Sequence, residues 1–137
     1  MAETRKIYFG HPISFYNTTK ESFLIKRIKE AFPEFEIENP NSKIHRENYE
    51  KWKIEKGNGM RYFIEKVIPK MDAGVFLAFE DKNFGAGVAK EAEELTKLGK
   101  PTYEINFNGE IFALNLDFGR FLTIEETRKR LRNFRKK

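Results

Sequence analysis

The chain has 137 residues, of which 34% are charged and 15% aromatic, and it has no cysteine. This length fits a single domain over 1–137 with a substantial core, and the lack of cysteine excludes disulfides, thiolate catalysis and cysteine-ligated metals. No segment approaches the apolar length of a membrane-spanning helix, and the N-terminus lacks the apolar run of a signal peptide. We therefore expect a cytoplasmic protein that does not enter the membrane.

The net charge of +5 is concentrated at the C-terminus. The last ten residues, RKRLRNFRKK, carry seven positive charges, so the rest of the chain is slightly acidic. We predict a basic amphipathic helix over about 123–137, with Leu131 and Phe134 packed inward. Binding of this tail to the phosphate backbone of a nucleic acid is the alternative, and we expect nucleic acid not to be a partner.

Apolar periodicity and turn residues predict alternating strands and helices along the chain. The predicted strands are 6–10, 36–38, 73–79 and 102–107. The predicted helices are 19–32, 45–55, 60–70, 86–98 and the C-terminal helix. Asn108–Gly109 between two alternating stretches predicts a β-hairpin. Together these elements predict a three-layer α/β domain, Rossmann- or flavodoxin-like, with a mainly parallel sheet of about five strands. The antiparallel hairpin should lie near its C-terminal edge.

The segment from 72 to 101 contains the strongest candidate site. Ala73–Phe79 is nearly all apolar, as expected of a parallel strand covered on both faces. Gly85 and Gly87 remove side chains where the chain turns and where a ligand can approach the backbone. Glu91 follows about one helical turn later, near the carboxyl end of the sheet, where open α/β folds bind ligands. Glu91 is thus a candidate catalytic carboxylate, and a solvated helix residue is the alternative.

Two motifs resemble those of the nucleoside 2-deoxyribosyltransferases. IYFGHPI over 7–13 is similar to the first strand and loop of that family, which typically read Ile-Tyr-Leu-Ala-Gly-Pro. GVAKEAEELTKLGKP over 87–101 is similar to its Gly-Thr-Ala-x-Glu signature, in which Gly-Lys-Pro begins eight residues after the Glu. Asp72 stands where the family has an Asp opening its central strand. The related deoxynucleoside-monophosphate N-glycosidases share this arrangement, and the resemblance covers roughly residues 5 to 106.

The resemblance implies that Glu91 is a nucleophile. In that family the matching glutamate attacks C1′ of the deoxyribose, displaces the base and forms a glycosyl-enzyme ester, while the tyrosine that matches Tyr8 orients it. A carboxylate suits this step because it stabilises oxocarbenium character and then captures it covalently. The acceptor is a second base in a transferase and water in a hydrolase, and the sequence leaves both open. For Tyr8, a core aromatic is the alternative.

Other residues near the two motifs are candidates for the same site. Gly10, His11 and Pro12 would line the sugar pocket, and His11 is also a candidate proton donor to the leaving base. Asp72 would assist protonation or order the site, with a capping role as the alternative. Gly85 stands where the family often has Asp, so the role of that Asp in base contacts is not carried over.

Polar residues after the first two strands are candidates for phosphate and base binding. Ser14, in the loop SFYNTT before a helix, would favour a 5′-monophosphate because free N–H groups at a helix start attract anions. Asn39 and Asn41 follow the second strand and are candidates to read a base. In each case an ordinary cap or turn is the alternative. The sequence has no Walker A motif, dinucleotide fingerprint or zinc spacing, so we predict no metal and no cofactor.

The predicted ligand is a small nucleoside or nucleotide. A non-catalytic nucleotide-binding or sensing module on the same scaffold is the alternative function. The resemblance also implies a homo-oligomer, a dimer or larger, in which a neighbouring chain completes the pocket. Aromatic residues near the sheet edge would suit such an interface; they are Phe107, Phe112, Phe118 and Phe121. Tyr49 and Trp52 are expected to be core anchors, with base stacking as the alternative.

Overall fold

A five-stranded sheet organises the residues described by the computed structural model, which are 5–135 without the side chains of 118 and 133–135. The strands are β1 (Arg5–Gly10), β2 (Phe35–Glu38), β3 (Ala73–Leu77), β4 (Thr102–Ile105) and β5 (Ile111–Ala113). Their order is β2-β1-β3-β4-β5, with β1 to β4 parallel and β5 antiparallel to β4. This topology confirms the predicted α/β fold with its antiparallel hairpin.

Helices cover both faces of the sheet. They are α1 (Thr19–Ala31), α2 (Lys43–Lys56), α3 (Met60–Tyr62), α4 (Ala86–Lys97) and α5 (Ile124–Arg135). One core lies between α1 and the sheet and contains Phe9, Leu24 and Ile28. The other contains Tyr8 and Phe76 together with residues of α4 and of the chain after α3. Alternation along β1 therefore sends Tyr8 to one core and Phe9 to the other.

Glycine lets α4 pack closely on the central strand. All five residues of β3 are buried. A Cβ at Gly74 would lie only 2.4 Å from Cδ2 of Leu95 and 2.7 Å from Cε2 of Phe76. Since real Cβ atoms do not approach that closely, a larger residue there would displace the side chains of Leu95 and Phe76 and disturb the packing of α4 on β3. This contact fixes where the first turns of α4 meet the carboxyl end of the sheet.

The predicted helix over 60–70 is only partly α-helical. After α3 the chain forms a π-helical segment, Phe63–Val67, and then a 3-10 turn, Ile68–Lys70. Pro69 has no N–H to continue an α-helix, so the regular pattern cannot run through this position. The irregular segment still buries Phe63, Val67 and Ile68 in the core.

The predicted sheet-edge aromatics differ in exposure. Phe112 is 46% exposed. Phe107 packs against Phe15, with ring centroids 5.4 Å apart, and Phe121 packs against Phe84. The side chain of Phe118 lies outside the described residues. Among the side chains described, Phe112 is therefore the exposed member of the set, because internal contacts half-bury the others. Within 5–135, no helix is both long and apolar enough to cross a membrane.

Candidate functional site

The fold brings Tyr8 and Glu91 into direct contact. Tyr8 is fully buried in β1, and Glu91, on the second turn of α4, is 5% exposed. The Tyr8 hydroxyl donates a hydrogen bond to Oε2 of Glu91, with an O–O distance of 2.5 Å. A Cβ at Gly10 would lie 2.5 Å from Phe76 and 3.3 Å from Oε1 of Glu91. The missing side chain of Gly10 therefore makes room for the Phe76 ring beside the carboxyl group.

A cavity of about 460 Å³ opens onto this pair at the carboxyl ends of β1 and β3. Of the predicted substrate-binding residues, His11, Pro12, Gly85 and Gly87 line it. The volume lies in the range typical of small-molecule sites. Most of the lining is apolar or aromatic, so the few polar groups in the cavity have a large influence on what binds.

Burial sets the protonation of Glu91. It raises the pKa of the Glu91 carboxyl to about 8, and the hydrogen bond from Tyr8 acts in the opposite direction. The neutral acid therefore predominates at pH 7 in the empty cavity, and the carboxylate predominates above about pH 8. Burial, together with the charge of Glu91, also raises the pKa of Tyr8 well above its usual value, so this hydroxyl remains a donor.

Two tyrosines in the cavity were not predicted as site residues. Tyr16 and Tyr49 both line it, and their hydroxyls have no hydrogen-bond partner among the described residues. Burial and the charge of Glu91 raise the pKa of Tyr16, so its hydroxyl is a donor at neutral pH. Tyr49 also packs on Phe63, with ring centroids 6.2 Å apart. It serves both the core and the cavity. The sequence signals were the position of Tyr16 in the loop after β1 and, for Tyr49, the base-stacking alternative.

His11 lines the cavity, but internal partners engage both of its ring nitrogens. Its Nδ1 lies 2.9 Å from the Phe9 carbonyl and its Nε2 lies 2.7 Å from Oε2 of Glu21. Its ring stacks on Phe9 with centroids 4.0 Å apart. Burial lowers the pKa of His11, while the hydrogen bond to Glu21 opposes that shift. Because both nitrogens are occupied, the predicted role of proton donor is not supported, and His11 instead orders the loop after β1.

The predicted phosphate position is already filled by a carboxylate of the protein. Glu21, in the first turn of α1, accepts hydrogen bonds from the Asn17 backbone N–H at 3.1 Å and from Nδ2 of Asn41 at 3.2 Å. Ser14 does not line the cavity. An anion at the start of α1 is thus supplied internally, and a phosphate there would be repelled. Neither the position of Ser14 nor this helix start supports the predicted phosphate site.

The predicted base-reading residues stabilise their own loop. Oδ1 of Asn39 accepts a hydrogen bond from the Asn41 backbone N–H at 2.8 Å, while the Asn41 side chain bonds to Glu21 and to Asn17. Neither asparagine lines the cavity, although Pro40 between them does. The turn interpretation therefore accounts for both residues, and Asn41 supports the His11–Glu21 pair from outside the cavity.

Asp72 lies at the other end of the sheet. It precedes β3, whose carboxyl end faces the cavity, and its Oδ2 accepts a hydrogen bond from the Lys6 backbone N–H at 2.8 Å. The Asp72 backbone N–H donates to the Lys6 carbonyl at 2.9 Å. These two bonds join the starts of β1 and β3, so the structural role applies and the predicted catalytic role is not supported.

The C-terminal helix supplies one wall of the cavity. Thr127 and Leu131 of α5 line it, and the Ala86 backbone N–H donates to Oγ1 of Thr127 at 2.9 Å. Arg130 forms an ion pair with Asp81 in the loop before α4. Leu131 faces inward as predicted, whereas the side chain of Phe134 lies outside the described residues. The basic tail therefore belongs in part to the site, which its composition did not indicate.

No family model matches this sequence, and neither the curated proteins nor the solved structures contain a match.

Proposed function

We propose that this protein cleaves the N-glycosidic bond of a 2′-deoxynucleoside or its 5′-monophosphate, with Glu91 as the nucleophile. The buried hydrogen bond from Tyr8 to Glu91, at the wall of the cavity, carries the proposal. These are the two residues that the resemblance to nucleoside 2-deoxyribosyltransferases assigns to the nucleophile and its orienting partner. A cavity of about 460 Å³ also has the volume that such a ligand needs.

The proposed reaction proceeds in two displacements. The Glu91 carboxylate attacks C1′ and forms a glycosyl ester. In the same step the C1′–N bond breaks, and its electron pair leaves with the base. Water or a second base then attacks C1′ and releases Glu91. Tyr8 holds Oε2, while no hydrogen bond joins Oε1 to another described residue. The positive charge that develops on the sugar favours the anionic form of Glu91 during the reaction.

The leaving base needs a hydrogen-bond donor, and the tyrosines supply it in this proposal. His11 has both nitrogens occupied, and Gly85 replaces the Asp that the related family often has. Tyr16 and Tyr49 line the cavity, and their hydroxyls have no hydrogen-bond partner among the described residues. We assign them to the base because a hydrogen bond to the departing nitrogen stabilises its negative charge.

A non-catalytic nucleotide-binding module is the second candidate function. The raised pKa of Glu91 favours it, because a neutral carboxyl binds polar ligands as a donor and an acceptor without attacking them. The tyrosine hydroxyls serve such a ligand equally well. The two candidates differ in whether the ligand leaves the cavity intact.

The test is to incubate the protein with a panel of deoxynucleosides and their 5′-monophosphates, with and without an acceptor base. Free base and new nucleoside are separated by chromatography. We expect base release by the wild type and by Glu94→Gln, a control on the same helix outside the cavity, and none by Glu91→Ala. A new nucleoside in the presence of acceptor identifies a transferase.

The same panel separates the alternatives. If calorimetry detects binding of a nucleotide that the protein returns intact, the binding module replaces the enzyme. Base release that persists in Glu91→Ala rejects Glu91 as the nucleophile.

A further inference from the structure

A second cavity, of about 360 Å³, lies on the same side of the sheet as Tyr8 but towards the amino end of β1. Three lysines line it, Lys6 of β1 and Lys66 and Lys70 of the irregular segment after α3, and we call it the lysine cavity. Only His45 is common to the lining of this cavity and of the cavity at Glu91. The lysine cavity is therefore adjacent to the proposed active site and chemically distinct from it.

The three lysines have no ion-pair partner in the described part of the chain. Among the described residues, no hydrogen bond or ion pair joins the ammonium group of Lys6, Lys66 or Lys70 to another side chain. Lys97, by comparison, pairs with Glu93 at 3.1 Å. Three like charges around one cavity repel each other, and an anion between them replaces this repulsion with attraction.

Glu38 is the one acidic residue in the described lining, and it is engaged elsewhere. Nε2 of His45 lies 2.6 Å from Oε1 of Glu38, and Nδ1 of His45 lies 2.7 Å from the Tyr62 hydroxyl. Because a carboxylate only accepts, Nε2 of His45 donates to Glu38, and Nδ1 and the Tyr62 hydroxyl form the second hydrogen bond of the ring. Nδ2 of Asn48 completes the chain by donating to the Tyr62 oxygen at 3.1 Å. These four residues thus form a polar, internally hydrogen-bonded wall of the lysine cavity. The three lysines remain available to bind a ligand.

We propose that the lysine cavity is a binding site for a phosphate group, either free phosphate or a phosphate monoester. A phosphate carries about −1.5 to −2 charges at pH 7 when it is esterified, and its oxygens accept hydrogen bonds from several ammonium groups at once. The positive charges of the three lysines exceed the one negative charge of Glu38, so the net charge of the lining is opposite to that of a phosphate. This site is independent of the proposed function, because none of its lysines lines the cavity at Glu91.

The test is calorimetric titration of the full chain with inorganic phosphate and with glycerol phosphate. We expect saturable binding that the double variant Lys66→Ala/Lys70→Ala weakens about tenfold or more, since hydrogen bonds to charged groups are worth that factor. Both side chains are exposed, so the variant should fold. Tighter binding of glycerol phosphate identifies a monoester as the ligand, and tighter binding of inorganic phosphate identifies the free ion.

A control removes the same charge elsewhere. Lys26→Ala/Lys29→Ala changes two exposed lysines of α1, on the opposite face of the sheet, and should leave binding unchanged. Glu91→Gln should also leave phosphate binding unchanged, which separates this site from the glycosidase proposal. Equal weakening in both lysine variants indicates diffuse attraction by net charge and overturns the proposal, as does the absence of saturable binding.

Fluorescence offers a second measurement of phosphate binding. Trp52, the single tryptophan of the chain, packs on Tyr62, which lines the lysine cavity.

Discussion

At the residue scale, the burial of Glu91 makes folding stability depend on pH. Its pKa is about 8 in the folded protein against 4.5 for the ordinary side chain. An acid whose pKa is raised by folding contributes stability that is present below pH 4.5 and lost as the pH rises through about 8. Between about pH 5 and pH 9 we expect the unfolding free energy of the wild type to fall by a few kcal/mol relative to that of Glu91→Gln. The basis is a value of about 1.4 kcal/mol per pKa unit.

Urea unfolding at a series of pH values measures this difference. His11, whose pKa is lowered by burial, has the opposite pH dependence below pH 6.5, but it is present in both proteins and cancels in the comparison. Parallel stability curves for the wild type and Glu91→Gln would show that the folded protein does not penalise the Glu91 carboxylate.

Tyr8 should tune the same carboxyl group during the proposed reaction. Its hydrogen bond lowers the pKa of Glu91, so Tyr8→Phe should raise that pKa and move the rising limb of kcat/KM to higher pH. Because this variant removes a hydrogen bond to a charged group, we expect its rate to fall by about 10- to 100-fold at neutral pH. The pH–rate profile of base release is the measurement. Tyr103→Phe, which removes a hydroxyl on the α1 side of the sheet, is the control, and an unshifted limb in Tyr8→Phe would refute the assignment.

At the scale of elements, sequence patterns located helices whose ends have local signals. Thr18 accepts a hydrogen bond from the Glu21 N–H to begin α1, and Gly57 ends α2 with a φ of 74°. The antiparallel strand after Asn108–Gly109 was likewise predictable from residues adjacent in sequence. In the helix over 60–70, Pro69 is a local signal for an interruption near the end, whereas the π-helical segment Phe63–Val67 has no such signal in the sequence.

The position of α5 over the cavity depends on contacts with the loop before α4. Arg130 pairs with Asp81 and lies 5.2 Å from the Phe79 ring centroid. Arg130→Ala should increase amide hydrogen exchange in α5 and lower global stability by less than about 1 kcal/mol, because both partners are partly exposed. Arg128→Ala, at an exposed position of the same helix, is the control. Equal exchange in the two variants would mean that this ion pair does not hold α5.

At the scale of the whole molecule, a partly buried ion pair joins the 3-10 turn Phe118–Arg120 to the sheet. Nη1 and Nη2 of Arg120 donate to the Glu104 carboxylate of β4 at 2.9 and 2.6 Å, and its Nε donates to the Lys82 carbonyl. Arg120→Ala leaves the buried Glu104 without a partner, so we expect a loss of about 3 kcal/mol in unfolding free energy. Arg120→Met/Glu104→Met should recover much of it, because no unpaired charge remains.

Urea unfolding of the three proteins tests this prediction. If Arg120→Ala and the double methionine variant unfold at the same urea concentration, the cost does not come from an unpaired Glu104. In that case the contacts of the 3-10 turn Phe118–Arg120 would be the source of stability.

The sequence by itself determined the order of strands and helices and paired Tyr8 with Glu91 as candidates. Periodicity, glycines and caps act over a few residues, whereas the resemblance to nucleoside 2-deoxyribosyltransferases suggested two partners that are 83 residues apart. The tertiary structure decided how the polar groups near the site are used. Only in the folded chain does Glu21 occupy the anion position and engage His11, and only there does Asp72 lie at the opposite end of β3. Each buried polar atom takes the nearest complementary partner in space, and one-dimensional patterns do not contain those distances.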